Sequence, residues 1–181
     1  FSVLQAQDMQ QMPAVGESDL LRSLQLLPGI QAASDISSGL YVRGGGPDQT
    51  RILLDQVPLY NPSHAFGFFS TFNPDAIKDV SLYKGVYPAA YGGNLGALLD
   101  VQNREGNRQT LSGRGGLSLI SGRLLLEGPI GTGAWMLSGR RTYLDPVLSA
   151  VRASGANVPS YYFYDFNGKF SQRLGPSDEL V

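Results

Sequence analysis

The clearest pattern in the chain is an alternation of apolar and polar positions in YYFYDFNGKFSQR, residues 161–173. Successive side chains of a strand point to opposite faces, so this segment predicts one strand with two unlike faces. The first face is aromatic and apolar and comprises Tyr162, Tyr164, Phe166, Gly168 and Phe170. The second is polar and comprises Asp165, Asn167, Lys169, Ser171 and Arg173. A terminal tyrosine pair and a charged second face are typical of a membrane strand beside a wet lumen, although a soluble strand also alternates.

Three earlier segments repeat this alternation and predict further antiparallel strands. They are TLSGRGGLSLI, RLLLEGPI and AWMLSGRRTY, and Leu180-Val181 begins one more strand. The connections alternate between tight (131–133), long (144–160) and tight (175–177), which favours an outer-membrane barrel over a soluble sheet. The smallest closed membrane barrels have about eight strands, and open sheet edges are not viable in hydrocarbon. We therefore expect a fragment of a longer protein rather than a sheet completed by another chain.

Two helices are predicted in the first half of the chain. GESDLLRSLQLLPGI predicts a helix that begins after the N-cap Ser18 and ends at Pro28-Gly29. Its apolar stripe comprises Leu20, Leu21, Leu24 and Leu27. NPDAIKDV predicts a second, short helix with Asn73 as N-cap and Pro74 as first residue.

Strand signals alternate with these helices. LYVR, RILLDQV, VSLYKG and ALLDVQN each predict a strand. Helical periodicity nearly vanishes beyond residue 107. The sequence thus predicts a small α+β domain over residues 1–105, followed by antiparallel strands over residues 106–181.

Composition excludes several classes of protein and site. The 181 residues carry 14 basic and 15 acidic side chains, which gives no electrostatic argument for a nucleic-acid partner. There is no cysteine and only one histidine, so neither thiolate metal sites nor a histidine cluster is available. No apolar stretch approaches the roughly 20 residues of a membrane helix, and the first residues show no signal peptide. No residue pattern suggests catalysis or a cofactor, so we do not expect an enzyme.

The three glycines in RGGGPDQTRILLD raise the question of phosphate binding. A dinucleotide fingerprint needs G-x-G-x-x-G at the start of a helix, whereas Pro47 follows these glycines and a strand comes next. We therefore predict a tight turn that requires positive φ and has no room for side chains.

The ordered series of motifs resembles the plug domain of TonB-dependent outer-membrane receptors. The residues that carry the resemblance are the Arg-Gly turn, LLD-x-VP-x-YNP, NPDAIKDV leading into LYKG, and the YGG loop before the last strand. GESDLLRSLQLLPGIQ resembles the first plug helix, and LLLEGPIGTGAWMLSGRRTYLD resembles the first barrel strands of one large subgroup. Gln56 departs from the pattern, since the family usually has glycine after the aspartate. The resemblance implies an α+β plug followed by the first antiparallel strands of a 22-stranded transmembrane β-barrel.

The resemblance also implies a function and partners. Such receptors lie in the outer membrane of Gram-negative bacteria and import a scarce ligand, such as a metal chelate, oligosaccharide or peptide, with energy delivered by TonB. The implied partners are TonB in the periplasm, outer-membrane lipid, the unknown ligand and, in some receptors, a surface lipoprotein. Two alternatives stay open: a non-transporting plug-barrel relative that serves as a scaffold subunit, and a soluble binding protein with a β-sandwich.

Two groups of site residues follow from the resemblance. The predicted plug-barrel contacts are Arg43, Gly44, Gly45, Gly46, Asp55, Arg140 and Arg141. The predicted ligand-facing loop comprises Tyr60, Asn61, His64, Phe66, Phe68 and Phe69, with packing inside the protein as its alternative. We predict no catalytic residue and no metal site.

Overall fold

The chain divides into two compact units, residues 1–103 and 104–181. The computed structural model describes residues 2–5, 19–32, 39–64, 69–92, 96–118, 120–144, 148–149, 152–155, 161–175 and 179–181. In these residues, no helix has the length and apolar character needed to span a membrane.

The described residues of the first unit form one short α-helix and a five-stranded sheet, with two further hairpins. The helix, α1, spans Leu20–Gln25. The strands are β1 (Ser2–Gln5), β2 (Ile30–Ala32), β3 (Leu40–Val42), β4 (Arg51–Leu54), β5 (Val57–Leu59), β6 (Ser63–His64), β7 (Phe69–Ser70), β8 (Ile77–Tyr83) and β9 (Leu98–Asn103). The sheet has the order β1-β8-β9-β4-β5, in which β4 and β9 are parallel and the other neighbours antiparallel. Two separate hairpins pair β2 with β3 and β6 with β7.

The core of this unit brings the leucine stripe of α1 together with the central strands. Leu20, Leu21 and Leu24 are buried and Leu27 packs against them, which confirms the predicted stripe. The strand residues of the same cluster are Ile30, Leu40, Val42, Ile52, Ile77, Val80, Leu82, Leu99 and Val101. Burial of this apolar surface is what holds so short a helix in place, because an isolated helix of two turns is not stable in water.

The N-cap of α1 is Asp19, so the prediction of Ser18 was wrong by one residue. Ser18 itself lies outside the described residues. Asp19 Oδ1 accepts hydrogen bonds from the backbone N–H groups of Leu21 (2.9 Å) and Arg22 (3.2 Å). Its second oxygen, Oδ2, accepts one from the N–H of Ser70 at 2.6 Å. The buried carboxylate therefore joins the start of α1 to β7 as well as capping the helix.

The predicted helix in NPDAIKDV is absent, and this prediction was wrong. Asn73 Oδ1 accepts from the N–H of Asp75 (3.1 Å), and the N–H of Ala76 donates to the carbonyl of Asn73 (3.0 Å). These bonds close a single turn, after which β8 begins at Ile77. Ile77 pairs with Asn103 in β9. The chain therefore joins the sheet directly after this turn, and a second helical turn does not form.

RILLDQV does not form one continuous strand, because a two-residue turn divides it. Leu54 pairs with Val57, and Asp55 and Gln56 both have positive φ, 48° and 70°. Positive φ at both central residues is the geometry of a type I′ hairpin turn, which prefers glycine at the second position. Gln56 therefore adopts a left-handed backbone conformation that a residue with a Cβ rarely takes.

Gln56→Gly is expected to stabilise the first unit. Relief of the left-handed conformation gains about 1–2 kcal/mol, and the greater freedom of glycine in the unfolded chain returns about half of it. We expect a net gain of about 0.5–1 kcal/mol in the free energy of unfolding, measured by urea denaturation. The control is Gln102→Gly, in exposed strand backbone of β9, which should instead lose about 1 kcal/mol. Equal losses in both variants would contradict the assigned turn.

The second unit is a sheet of consecutive antiparallel strands. They are β10 (Ser112–Leu117), β11 (Ser121–Ile130), β12 (Gly133–Tyr143), β13 (Tyr162–Arg173) and β14 (Glu179–Leu180), and they are hydrogen-bonded in that order. Each predicted strand is present, and the tight turn at 131–132 joins β11 to β12. The predicted α+β domain followed by antiparallel strands is thus confirmed.

The strand register gives this sheet two chemically different faces. Residues directly opposite each other in an antiparallel pair point to the same face. The apolar face comprises Leu117, Leu124, Leu126, Gly128, Ile130, Trp135, Leu137, Gly139, Arg141, Tyr162, Tyr164, Phe166 and Phe170. The polar face comprises Ser112, Arg123, Leu125, Glu127, Met136, Ser138, Arg140, Thr142, Asp165, Asn167, Lys169 and Ser171. Large side chains of the apolar face are exposed, Phe166 to 75%.

Candidate ligand-binding region

The triple glycine begins with a tight turn between β3 and β4. The N–H of Val42 donates to the carbonyl of Gly45 (3.0 Å), and the reverse bond measures 2.9 Å. The two residues between them have positive φ, 50° for Arg43 and 85° for Gly44. After the glycines a single 3₁₀ turn, Pro47–Gln49, leads directly into β4. The residues therefore build a turn, and the helix whose N-terminus would hold a phosphate does not follow.

Two reasons were predicted for the three glycines, positive φ and a lack of room for side chains, and they apply to different glycines. Gly44 needs positive φ, yet a Cβ there would have no atom within 4 Å. A Cβ on Gly46 would lie 2.5 Å from Asp48 Oδ1, and one on Gly45 3.1 Å from Gln49 Oε1. Those two neighbours are ends of flexible side chains, but a Cβ on Gly45 would also lie 3.3 Å from the backbone carbonyl oxygen of Val42. Gly44 is therefore required by its backbone conformation, and Gly45 by the close backbone.

Arg43 and Asp55 occupy comparable turns but have different surroundings. The backbone N–H of Arg43 donates to the carbonyl of Gly29 (3.0 Å), and its exposed side chain forms no ion pair with a described residue. Asp55 receives two hydrogen bonds from Asn103, from its N–H (3.0 Å) and its Nδ2 (3.1 Å). Asp55 thus connects the β4–β5 turn to the end of β9. A plug-barrel contact of Arg43, Gly44, Gly45, Gly46 or Asp55 stays a prediction.

The predicted ligand-facing loop contains both exposed and buried residues. Tyr60 is 96% exposed, and Asn61 is also exposed. His64 is half-buried and pairs with Phe69, which is only 4% exposed and so fits the packing alternative. Phe66 and Phe68 lie outside the described residues.

Tyr60 borders a cleft at the open end of the β4–β5 hairpin. Two adjoining cavities of about 270 and 340 Å³ share the lining residues Pro47, Asp48, Thr50, Ile52, Tyr60 and Pro62. The prolines give the cleft rigid apolar walls, and Asp48, Thr50 and Tyr60 supply hydrogen-bonding groups. Such a mixture suits a small molecule with both apolar and polar parts.

This cleft was not predicted, because the pattern in RILLDQV predicted one strand, and the departure at Gln56 was the one sign of a turn at Asp55-Gln56. A hairpin there pairs Ile52 with Leu59 and so brings the residues after the glycines beside the loop that begins at Tyr60.

A buried carboxylate lies on another part of the first unit. Asp100, in β9, is 3% exposed, and its Oδ2 accepts a hydrogen bond from the hydroxyl of Tyr91 at 3.0 Å. Its Oδ1 is buried without a hydrogen-bond partner among the described residues. The hydrogen bond to Asp100, followed by burial and the negative charge of Asp100, raises the pKa of Tyr91 above its ordinary value of 10.0. Tyr91 therefore stays protonated and holds the segment after β8 against β9.

Arg140 and Arg141, predicted to share one contact, point to opposite faces of β12. Arg140 is 2% exposed, and its Nε lies 2.8 Å from Oδ2 of Asp165, its cross-strand partner. Its Nη2 contacts the same carboxylate oxygen, and its guanidinium lies 5.3 Å from the ring centre of Phe163. Arg141 lies on the apolar face, 5.4 Å from the ring centre of Tyr164. Arg140 thus lies on the polar face and Arg141 on the apolar face, and a plug-barrel contact of either stays a prediction.

Metal ligands do not cluster in the described part of the chain. No group of three or more histidine, aspartate or glutamate side chains there could hold a metal ion.

Comparison with known proteins identifies the first unit. The family model "TonB-dependent Receptor Plug Domain" matches residues 1–98. No curated protein matches the chain.

Solved structures resemble the whole chain in fold. The siderophore receptor PirA of Pseudomonas aeruginosa aligns with a TM-score of 0.67 and 19% identity, over 97% of this chain and 32% of that one. A double mutant of the ferric enterobactin receptor PfeA from the same organism gives 0.66 and 19%, over 97% and 30%. A single mutant of PfeA in complex with enterobactin gives 0.64 and 21%, over 97% and 31%. The chain thus spans about a third of the length of these receptors.

Tyr91→Phe is expected to destabilise the first unit in a pH-dependent way. Below pH 10 the wild type should be more stable by about 1–2 kcal/mol, because the variant leaves the buried Asp100 carboxylate without its donor. The raised pKa means that the folded state keeps this proton above pH 10 while the unfolded state loses it. The difference should therefore shrink as pH rises through the folded pKa, measured by urea denaturation from pH 8 to 11.5.

Tyr41→Phe is the matched control, since the Tyr41 hydroxyl bonds to no described residue. Its effect should be within about 0.5 kcal/mol at every pH. A constant stability difference for Tyr91→Phe across the whole range would contradict the proton linkage.

Proposed function

Since residues 1–98 match the plug model, the chain belongs to the TonB-dependent receptor plug family, and we propose that it supplies the plug and first barrel strands of an outer-membrane receptor. The observation that carries the proposal is the succession of a matched plug and a sheet with one exposed apolar face. The complete receptor would close the sheet into the 22-stranded barrel that the resemblance implies. The plug would block its lumen until TonB, acting from the periplasm, displaces part of it.

The dimensions of the second unit support membrane insertion. β11, β12 and β13 have 10, 11 and 12 residues, close to the 9–11 residues that a tilted transmembrane strand needs. Aromatic side chains stand near both ends of the apolar face. Trp135 lies at one end and Tyr162, paired with Tyr143, at the other. Eight residues separate positions 135 and 143, a span of roughly 27 Å along the strand. At a strand tilt of roughly 40° this covers about 21 Å of an apolar band that is about 25 Å tall.

Phe166→Arg should prevent stable insertion of the complete protein that contains this chain. Phe166 lies midway along the apolar face, since it pairs with Gly139, four residues from Trp135 and four from Tyr143. An arginine at the bilayer midplane costs about 2–4 kcal/mol, whereas the same change on a water-exposed sheet costs about 0.5 kcal/mol or less. Urea titration of folding into phosphatidylcholine vesicles measures the difference.

Asn167→Arg places the same charge on the polar face of the same strand, one residue along, and serves as the control. It should fold into vesicles with a loss well below that of Phe166→Arg, because a polar lumen-facing position tolerates charge. Equal, small losses in both variants would favour a soluble sheet and sink the membrane assignment.

The ligand is proposed to enter from the outside and reach the cleft beside Tyr60. A nearly fully exposed tyrosine next to rigid proline walls offers a large contact area at low entropic cost. The structural neighbours are siderophore receptors, so a ferric siderophore is the first ligand class to test. Oligosaccharides and peptides remain the other classes, and a surface lipoprotein is a further candidate partner.

Tyr60→Ala is expected to weaken uptake by the complete receptor. Loss of an aromatic contact worth about 0.5–1.5 kcal/mol should raise the half-saturating ligand concentration by about 2–12-fold, with little change in maximal rate. The assay follows ferric enterobactin, then other chelates, oligosaccharides and peptides, into cells with and without TonB. Val57→Ala, another exposed residue of the same hairpin, is the control and should behave as wild type.

The same assay separates transport from a scaffold role. Uptake that requires both the protein and TonB supports the receptor. If no ligand is taken up, but deletion of the protein disperses an outer-membrane complex, the scaffold alternative replaces it.

A further inference from the structure

Arg141 is the one charged side chain on the apolar face of the described strands. The other positions of that face in β11, β12 and β13 carry glycine, aliphatic or aromatic residues, apart from Gln172 near its far end. Strict alternation puts Arg140 on the polar face, where Asp165 neutralises it. Arg141 has no acidic partner among the described residues. Its charge therefore needs a different explanation from that of its neighbour.

Two tyrosines accompany Arg141 at this end of the face. Tyr164 is its direct cross-strand neighbour, and the guanidinium lies 5.4 Å from the centre of that ring. Tyr162 packs edge-on against Tyr164, with ring centres 5.7 Å apart. Both tyrosines are more than half exposed, and neither hydroxyl bonds to a described residue. A cation and two free hydroxyl donors thus share one exposed patch, which we name the Arg141 patch: Arg141, Tyr162 and Tyr164.

The membrane setting limits where this patch can lie. Arginine is costly in the centre of the hydrocarbon but costs little at the interface, where tyrosines also concentrate. Arg141 is two residues from the end of β12, and Tyr162 is the first residue of β13. The patch therefore falls at the rim of the apolar band, at the depth of lipid headgroups.

We propose that the Arg141 patch binds the phosphate of an anionic lipid headgroup, an inference that rests on the proposed membrane insertion. The planar guanidinium can donate two parallel hydrogen bonds to phosphate oxygens, and the tyrosine hydroxyls can donate to the remaining ones. Stacking on Tyr164 holds the guanidinium at the protein surface and reduces the freedom lost on binding. Its apolar surroundings suit the acyl chains below the headgroup, which favours a lipid over a free phosphate ion.

Native mass spectrometry of the complete, detergent-solubilised protein tests the site with dioleoyl phosphatidate as the probe. Arg141→Gln should weaken phosphatidate binding about tenfold, because it removes the charge-assisted hydrogen bonds. Arg141→Lys should weaken it less, about threefold, since charge remains without bidentate geometry. Arg114→Gln, an exposed arginine of the polar face, is the matched control and should bind as wild type.

The remaining arms identify the source of the phosphate and guard against a folding defect. Dioleoyl phosphatidylcholine should bind weakly and be insensitive to Arg141→Gln, and millimolar inorganic phosphate should not displace phosphatidate. Unchanged phosphatidate binding in Arg141→Gln overturns the proposal, as does full displacement by inorganic phosphate. If Arg141→Gln does not fold, Arg141→Lys and Tyr164→Leu replace it. Phosphatidate binding as strong as that of the wild type in both of these variants would then overturn the proposal. Failure of the wild type itself to enter vesicles would refute the proposed function, a result separate from loss at Arg141 alone.

Discussion

Strict alternation of side chains along β11, β12 and β13 is the constraint on which the account of the second unit depends. Because neighbouring residues must face opposite ways, Arg140 and Arg141 have different environments although they are adjacent. Arg140 meets Asp165 on the polar face, whereas Arg141 stands among aromatic rings on the other. Exposure of such an apolar face is unfavourable in water and favourable in lipid. The register that pairs the strands therefore also indicates that this face contacts lipid.

In the first unit, three carboxylates supplement the apolar core. Asp19 caps α1 and also bonds to β7, Asp55 connects the β4–β5 turn to β9, and Asp100 inside β9 holds Tyr91. Asp19 and Asp55 accept hydrogen bonds from segments 51 and 48 residues away, so short elements that would be unstable alone are fixed relative to one another. The cleft beside Tyr60 depends on one of these connections, since the Asp55 turn sets the geometry of the hairpin whose open end forms it.

Features with a clear period were predictable from the sequence, whereas features set by long-range pairing were not. The leucine stripe of α1 and the alternation in 162–173 follow from local geometry and agree with the structure. NPDAIKDV carries a good helix start, but pairing of Ile77 with Asn103 overrides it. Both Ser18 and Asp19 are residue types that cap helices well, so the sequence did not decide between them. Asp19 is the cap in the structure, where its carboxylate also accepts a hydrogen bond from the distant Ser70 N–H. Roles that require contact with a ligand or with a complete barrel lie beyond what local patterns encode.

Depth-resolved accessibility along β12 distinguishes a lipid-facing sheet from a sheet in water. The chain contains no cysteine, so single cysteines carrying a nitroxide label can be placed at successive positions from 134 to 142 in the complete protein, provided that any cysteine elsewhere is replaced. In lipid bilayers a lipid-facing sheet should give high oxygen accessibility at 135, 137 and 139, and low accessibility at 134, 136 and 138, with an interfacial depth at 141. High accessibility to a water-soluble nickel reagent at 135, 137 and 139 would contradict a lipid-facing sheet.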